Sequence, residues 1–178
     1  KPNNLPEKLI ISKAFCNAAH DLAKPVISEF GGINTGTFLG KKWEENRFRS
    51  PYLRHGLWEN GYAVDTLETC VDWPKVSPAM GDIEHALTHG LKDEHEKVHV
   101  FTHLSHLYPQ GSSIYTTYVY RCGSSYAETF ARWKKLKAAA SEQIVKHGGT
   151  ISHQHGVGVD HAPYLAAEKG ALGMAAIK

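Results

Sequence analysis

The sequence lacks the marks of several large protein classes. No apolar run exceeds a handful of residues, far short of the ~20 that a bilayer-spanning helix needs. There is no block of Lys or Arg, and 20 basic residues stand against 18 acidic ones for a net charge of +2. That balance gives no electrostatic footprint for a nucleic-acid partner. Cysteine is scarce: Cys16, Cys70 and Cys122 are widely spaced with no CxxC pair. Such an odd, scattered set reads as reduced thiols in a cytoplasmic protein rather than a disulfide framework. No Gly-x-Gly-x-x-Gly turn follows a strand, so no dinucleotide-binding fingerprint is present. Internal repeats and low-complexity stretches are also absent. The first residue is Lys1 and nothing before the first helix resembles a signal peptide. The chain is therefore expected to be a piece of a longer protein.

What is present is a globular composition with an excess of histidine. The 178 residues are 42% hydrophobic and 21% charged, with 12 histidines, which suits one domain or one domain with an appendage. Residues 1–12 read as a linker running into a helix. Phe15, Ala18, Ala19, Leu22, Ala23, Val26 and Ile27 then recur at helical spacing, with Pro25 expected to bend the helix and Gly31-Gly32 to end it. Residues 31–40 read as loop. Ser50-Pro51 opens a helix to about Trp58, closed by Asn60-Gly61.

From Tyr62 the pattern changes. Tyr62–Val71 alternates as a strand, and Asp72-Trp73-Pro74 opens a helix to about Leu91. Val98–Tyr108 alternates again, Pro109-Gln110-Gly111 turns, and Ser113–Arg121 carries the strongest strand signal. Ser124-Ser125 caps a long helix that ends at Gly148-Gly149. Thr150-Ile151-Ser152 reads as a short strand, and a last helix covers about Ala162–Ile177. The order β-α-β-β-α-β predicts an α+β fold, a ferredoxin-like split β-α-β antiparallel sheet with additional N- and C-terminal helices. The expected division is a linker and helical segment over 1–60 and the ferredoxin-like domain over 61–178. One sheet face would carry the helices and the other would be free to line a site.

Three segments could carry chemistry. Gly148–Gly158 ends a short strand in His153-Gln154-His155-Gly156, where glycines allow close backbone approach and histidines suit proton transfer near neutral pH. His106 and Tyr108 precede the Pro109 turn; on a continuing strand they would share a face, and a buried Tyr108 beside His106 could act as an acid/base group. Arg49 and Arg54 flank a helix N-terminus that favours a phosphate or carboxylate. His85, His89, His95, His99 and His103 invite a metal reading. However, His85 and His89 have no third ligand at a suitable spacing, so the set is expected to be a solvated polar face and no metal site is expected.

Together these segments resemble the C-terminal domain of FAD-linked oxidases of the vanillyl-alcohol-oxidase superfamily, in its alkyldihydroxyacetonephosphate synthase-like branch. The residues that carry the resemblance are Arg47–Arg54, Asp65–Thr69, Ser105–Ser113, Gly148–Gly158, Asp160–Tyr164 and Glu168-Lys169-Gly170. It covers about Gly31 to Lys178. It implies FAD in the full-length protein, held by an N-terminal FAD-binding domain outside this chain, with this chain roofing a small anionic substrate over the flavin. By the same resemblance Arg54 is the substrate-binding arginine, Tyr108 the catalytic acid/base tyrosine, and His153 and His155 catalytic residues on the flavin side. His153, Gln154, His155 and Gly156 form the cofactor-facing loop. Gln154 stands where the branch has the middle histidine of a triple-histidine segment. In the zinc-dependent 2-hydroxyacid dehydrogenases of the superfamily a Glu occupies that place, and a further histidine lies where this chain has Ile114-Tyr115, so a zinc site of that type is not expected. The alternatives are a 2-hydroxyacid dehydrogenase cap domain or a catalytically inactive ferredoxin-like binding module. A homodimer is compatible with all of these readings.

Overall fold

A computed structural model describes residues 7–177. The elements are α1 (Glu7–Glu29), α2 (Phe38–Asn46), a 3-10 turn (Arg47–Arg49), α3 (Ser50–Glu59), β1 (Tyr62–Asp72), α4 (Trp73–His89), a second 3-10 turn (Lys92–Glu94), β2 (Val98–His103), β3 (Gly111–Arg121), α5 (Tyr126–Lys146) and α6 (Ala162–Ile177). The chain divides between Ser50 and Pro51 into two compact units. Among the described residues no helix is long and apolar enough to cross a membrane.

The first unit is helical. Of the linker expected over residues 1–12, residues 1–6 lie outside the described residues and the rest is already helix, α1 running from Glu7 through Pro25. Its end follows from Gly31, whose φ of 78° gives the left-handed turn that closes a helix, with the Gly32 amide donating to the Ile27 carbonyl at 2.8 Å. Residues 31–37 are loop as expected, but α2 starts at Phe38 and takes the last three residues of that expected loop. The apolar residues of α2 are only Phe38, Leu39 and Trp43, so the periodic signal was too short to read.

The second unit is built on a three-stranded antiparallel sheet in the order β1-β3-β2. The register aligns Glu68 with Tyr115 and His103, Thr66 with Thr117 and Phe101, and Val64 with Val119 and His99. Alternation sends these residues to one face and Ala63, Leu67, Tyr118, Tyr120 and Val98 to the other. The second set packs with Ile83 and Leu87 of α4 and with Leu136, Ala140 and Ile144 of α5 in one apolar cluster. The helices thus cover one face and leave the opposite face open; Phe101 on the open face is 61% exposed.

The fourth predicted strand does not form as a strand. Thr150–His153 lies along β1, where Thr150 N donates to Cys70 O at 3.2 Å and His153 N to Glu68 O at 3.1 Å. Two backbone bonds dock the segment without a ladder. What replaces the ladder is Glu168 of α6, whose carboxylate accepts from Ile151 N at 2.8 Å and from the Thr150 hydroxyl at 3.0 Å. Gly149 allows the close approach: a Cβ there would lie 2.4 Å from Thr69 Oγ1 and 3.0 Å from Val71 Cγ1. The last helix is also broken, since Gly170 with φ 64° and ψ −180° interrupts α6.

Strand β2 is shorter than expected. It stops at His103, and residues 104–110 form an irregular turn closed by a single bridge between Leu107 and Ser112. Pro109 has no N–H to give a ladder, and serine side chains take over, with His106 N donating to Ser113 Oγ at 2.8 Å. The N-terminus of α5 is capped as its sequence implies: Ser125 Oγ accepts from Glu128 N at 3.1 Å.

Leu136 is fully buried at the centre of the apolar cluster. Leu136→Ala is expected to lower the unfolding free energy by about 2–5 kcal/mol, measured by chemical denaturation, through lost burial and a residual cavity.

Candidate functional site

The site grows from one acidic residue. Glu68 sits midway along β1 on the open face, yet it is only 4% exposed. A buried carboxylate must be surrounded by donors, and five side chains converge on it. Ser105 Oγ donates to Oε1 at 2.5 Å and lies 2.6 Å from Ser113 Oγ. His153 Nδ1 lies 3.2 Å from Oε1, and His106 Nδ1 lies 3.5 Å from the same oxygen. His155 Nε2 meets Oε2 at 3.0 Å. Burial by itself would push the Glu68 pKa up, but the hydrogen bonds from Ser105, Ser113 and His153, with the His153 charge, outweigh it and hold the group below the ordinary glutamate value.

Tyr108 completes the chain of contacts. Its hydroxyl lies 3.0 Å from His153 Nε2, and its ring faces His106 at 6.5 Å and meets the His153 ring edge-on at 5.8 Å. The Tyr108 backbone is fixed by N–H donation to Gly111 O at 2.8 Å and by acceptance from Trp73 Nε1 at 3.1 Å. Contrary to expectation Tyr108 is not buried; it is 41% exposed because it sits on the irregular turn rather than on the sheet. His106 and Tyr108 meet through that turn, not through strand parity.

The loop that carries the histidines is held in an uncommon backbone. Gln154 has φ 66° and Gly156 φ 73°, and the first of these is left-handed for a residue with a side chain. The Gln154 amide group lies against both neighbouring rings, with Nε2 3.0 Å from His106 Nδ1 and 3.2 Å from His153 Nδ1. Ser152 Oγ donates to Gly156 O at 2.7 Å and closes the loop on itself.

The structure brings Tyr108, His153, Gln154 and His155 into one cluster and leaves Arg54 out of it. Arg54 lines a separate recess with Trp58, Asp65, Tyr120, Trp133 and Lys137. In that recess Asp65 accepts from Trp133 Nε1 at 2.7 Å and from Lys137 Nζ at 3.2 Å. Burial works to raise the Asp65 pKa, but the Lys137 charge and these donors hold it low.

Glu68 was not singled out from the sequence as a site residue, and Ser105 and Ser113 were not either. The available signal was an acidic residue in the middle of a strand otherwise bounded by Leu67, Thr69 and Val71. An uncovered polar group there has to find partners.

The open sheet face of this α+β domain is rimmed by a tyrosine, three histidines and a buried carboxylate, a set of groups that can hold and pass a proton. The chain belongs to the family of FAD linked oxidases, C-terminal domain, which matches residues 20–178. That membership implies FAD as the cofactor of the full-length protein. Among its relatives, alkyldihydroxyacetonephosphate synthase of Dictyostelium discoideum is 28% identical over 140 residues, 79% of this chain and 23% of that protein. The enzyme of the same name from Trypanosoma brucei brucei is 25% identical over 166 residues, 93% of this chain and 27% of that protein. A solved structure of an alkyldihydroxyacetonephosphate synthase superposes with a TM-score of 0.54 at 24% identity, covering 67% of this chain and 20% of that one, and shows the shared fold. The chain thus spans about a quarter of the length of these curated relatives.

Glu168 links α6 to the histidine loop. Burial favours its neutral form, but the Ile151 N–H, Lys169 and the Thr150 hydroxyl together lower its pKa. A carboxyl lowered on folding adds stability above its unfolded pKa of about 4.3, and that stability is lost as pH falls toward the lower folded value. Glu168→Ala is expected to remove on the order of 1–3 kcal/mol at neutral pH and to speed amide exchange at Ile151, read by NMR. The difference from the parent chain should shrink as pH falls below about 4.3.

Proposed function

We propose that this chain is the substrate-side cap of an FAD-dependent oxidoreductase or synthase resembling alkyldihydroxyacetonephosphate synthase, roofing an anionic substrate over the flavin. The observation that carries the reading is the unbroken line Tyr108–His153–Glu68 on the open sheet face. Glu68 is held ionised, so the His153 nitrogen facing it carries a proton and Nε2 is left to accept from the Tyr108 hydroxyl; the tautomer is assigned from these partners. Tyr108 can then pass its proton to His153, while the Glu68 charge stabilises the imidazolium, the same logic as a nucleophile–histidine–carboxylate triad. His155, anchored on Glu68 Oε2 and edge-on to Tyr115 at 5.9 Å, fixes the other side of the carboxylate.

The loop residues His153, Gln154, His155 and Gly156 fit contact with the edge of a flavin ring. His155 is 37% exposed at its side chain, and no atom stands within 4 Å of where a Gly156 Cβ would be. They do not amount to a whole dinucleotide site. FAD, when bound, supplies the electron-accepting ring; the residues of this chain position the substrate, exclude water and hold or move the proton at Tyr108 Oη and His153 Nε2. Arg54 is proposed as the anchor for the substrate's anionic group. That role rests on the resemblance alone: the Arg54 recess lies with Asp65, Trp133 and Lys137 on the helix-covered face, opposite the Tyr108 cluster.

In the full-length enzyme Tyr108→Phe is expected to lower kcat by about 10²–10⁴-fold with the fold intact, since it removes a positioned acid/base hydroxyl and little volume. Arg54→Lys is expected to raise KM before it touches kcat, because the planar two-pronged donor is lost and the charge kept. Near-normal turnover in Tyr108→Phe, with Arg54→Lys affecting only thermal stability, would replace this reading with that of a binding module.

A further inference from the structure

Glu68 turns its two oxygens toward two histidines of one loop. His153 Nδ1 lies 3.2 Å from Oε1, and His155 Nε2 lies 3.0 Å from Oε2. The donors around the carboxyl hold it ionised, so neither oxygen has a proton to give. A ring nitrogen this close must carry its own proton, because a bare lone pair would be repelled by the charge. The two rings present different atoms to the one carboxylate, and a neutral imidazole has a single N–H. His153 is thus the Nδ1–H tautomer and His155 the Nε2–H tautomer, assigned from these partners. The lone pairs left over are His153 Nε2 and His155 Nδ1.

These two lone pairs differ in what they meet. His153 Nε2 lies 3.0 Å from the Tyr108 hydroxyl. Among the described residues no polar group meets His155 Nδ1, although the ring around it is fixed. Tyr115 stands edge-on to that ring at 5.9 Å and is itself packed on His103 at 5.2 Å. The left-handed Gln154 and the Ser152 hydroxyl bond to Gly156 O hold the backbone on either side. The His155 ring cannot turn Nδ1 inward without giving up Glu68. Water satisfies the outward nitrogen until a better-placed donor displaces it.

We propose that Glu68 is a positioning residue that sets the two histidines to opposite tautomers, and so makes His155 Nδ1 the acceptor for a hydroxyl or N–H donor of a ligand on the open face. The inference rests on the reading of that face as the site of a flavin reaction, but it assigns a contact that the Tyr108–His153–Glu68 line does not use. A ligand offering only acceptors here, such as an ionised carboxylate, is turned away by the Nδ1 lone pair. An anionic substrate is therefore oriented with a donor end toward His155 and its charge elsewhere. An amide in place of Glu68 breaks the arrangement in a defined way. Oε1 takes both the Ser105 hydroxyl at 2.5 Å and the His153 N–H, so that corner stays an oxygen and the amide nitrogen falls opposite His155. A donor there obliges His155 to carry its lone pair on Nε2 and its proton on Nδ1.

The test reads the ring tautomers directly, in the full-length protein labelled with nitrogen-15 histidine, by two-bond nitrogen–proton correlation. The pH is set about two units above the usual histidine value, and His155 is assigned by its loss in His155→Asn. The parent is expected to show Nε2–H at His155 and Nδ1–H at His153; Glu68→Gln, which keeps the volume, is expected to show Nδ1–H at both. Nδ1–H at His155 in the parent overturns the proposal whether or not the variant folds, and so does Nε2–H retained in a folded Glu68→Gln. His155→Phe separates the two sources of the donor. A KM raised about 10-fold with the flavin potential unchanged points to a substrate hydroxyl; a lowered flavin midpoint potential points to a flavin N–H. Neither change overturns the acceptor role. In the Glu68→Gln background His155→Phe is expected to add little, since the acceptor is already lost. Tyr108→Phe is expected to leave both tautomers in place. The wrong tautomers beside a turnover-dead Tyr108→Phe would overturn this inference and spare the proton line, while the right tautomers beside an active Tyr108→Phe would do the reverse.

Discussion

A carboxylate buried in the middle of a β-strand is the constraint on which the rest of the site depends. Left without partners, an ionised Glu68 would be too costly to bury. Each surrounding segment therefore delivers a donor: the Leu104–Gln110 turn brings Ser105 and His106, β3 brings Ser113, and the loop after α5 brings His153 and His155. The arrangement is compact because all five donors must reach two oxygens. It is specific because removal of one donor leaves the charge short of a partner while the others stay fixed.

That demand explains features of the fold which look irregular from the backbone alone. Strand β2 ends early, and the turn that carries His106 and Tyr108 is secured by the Ser105 and Ser113 hydroxyls together with the backbone bonds Ser113 N to His106 O at 2.9 Å and Tyr108 N to Gly111 O at 2.8 Å. The segment after α5 docks on β1 with two backbone bonds and relies on Glu168 for the rest. Gly149 lets that segment reach Thr69 and Val71 without a Cβ in the way. In a regular strand His153 and His155 would share a face but stand about 7 Å apart, whereas the left-handed Gln154 bends the loop so that both reach the single Glu68 carboxylate.

The two faces of the sheet do different work. The covered face carries the apolar cluster with α4 and α5, and it also holds Asp65 among Tyr118, Trp133 and Lys137. The open face carries rows of histidine, aromatic and hydroxyl side chains fixed in register by β3. A domain built this way can be stable through one face while the other stays free for functional groups, because the two sets of side chains alternate along the same strands.

Much of this was legible in the residues themselves. Alternation over Tyr62–Val71 and Ser113–Arg121, the Ser125 cap and the Gly31 and Gly148 terminators are signals spread over a few residues, and the corresponding elements appear where those signals lie. The residues themselves pointed to Tyr108, His153 and His155, which do meet, and to Arg54, which lines a different recess; the resemblance added only their roles. The α2 helix was missed because three apolar residues, Phe38, Leu39 and Trp43, are too few to fix a helical period. Glu68 could not be read as the centre, because nothing local distinguishes it from a solvated acid on a strand. Its contact with His153 joins residues 85 apart in the chain. Secondary structure was set by short-range sterics and periodicity that the sequence states directly. Convergence on Glu68 was decided only by sheet register and by the packing of α5 and α6, which place distant residues at hydrogen-bond range.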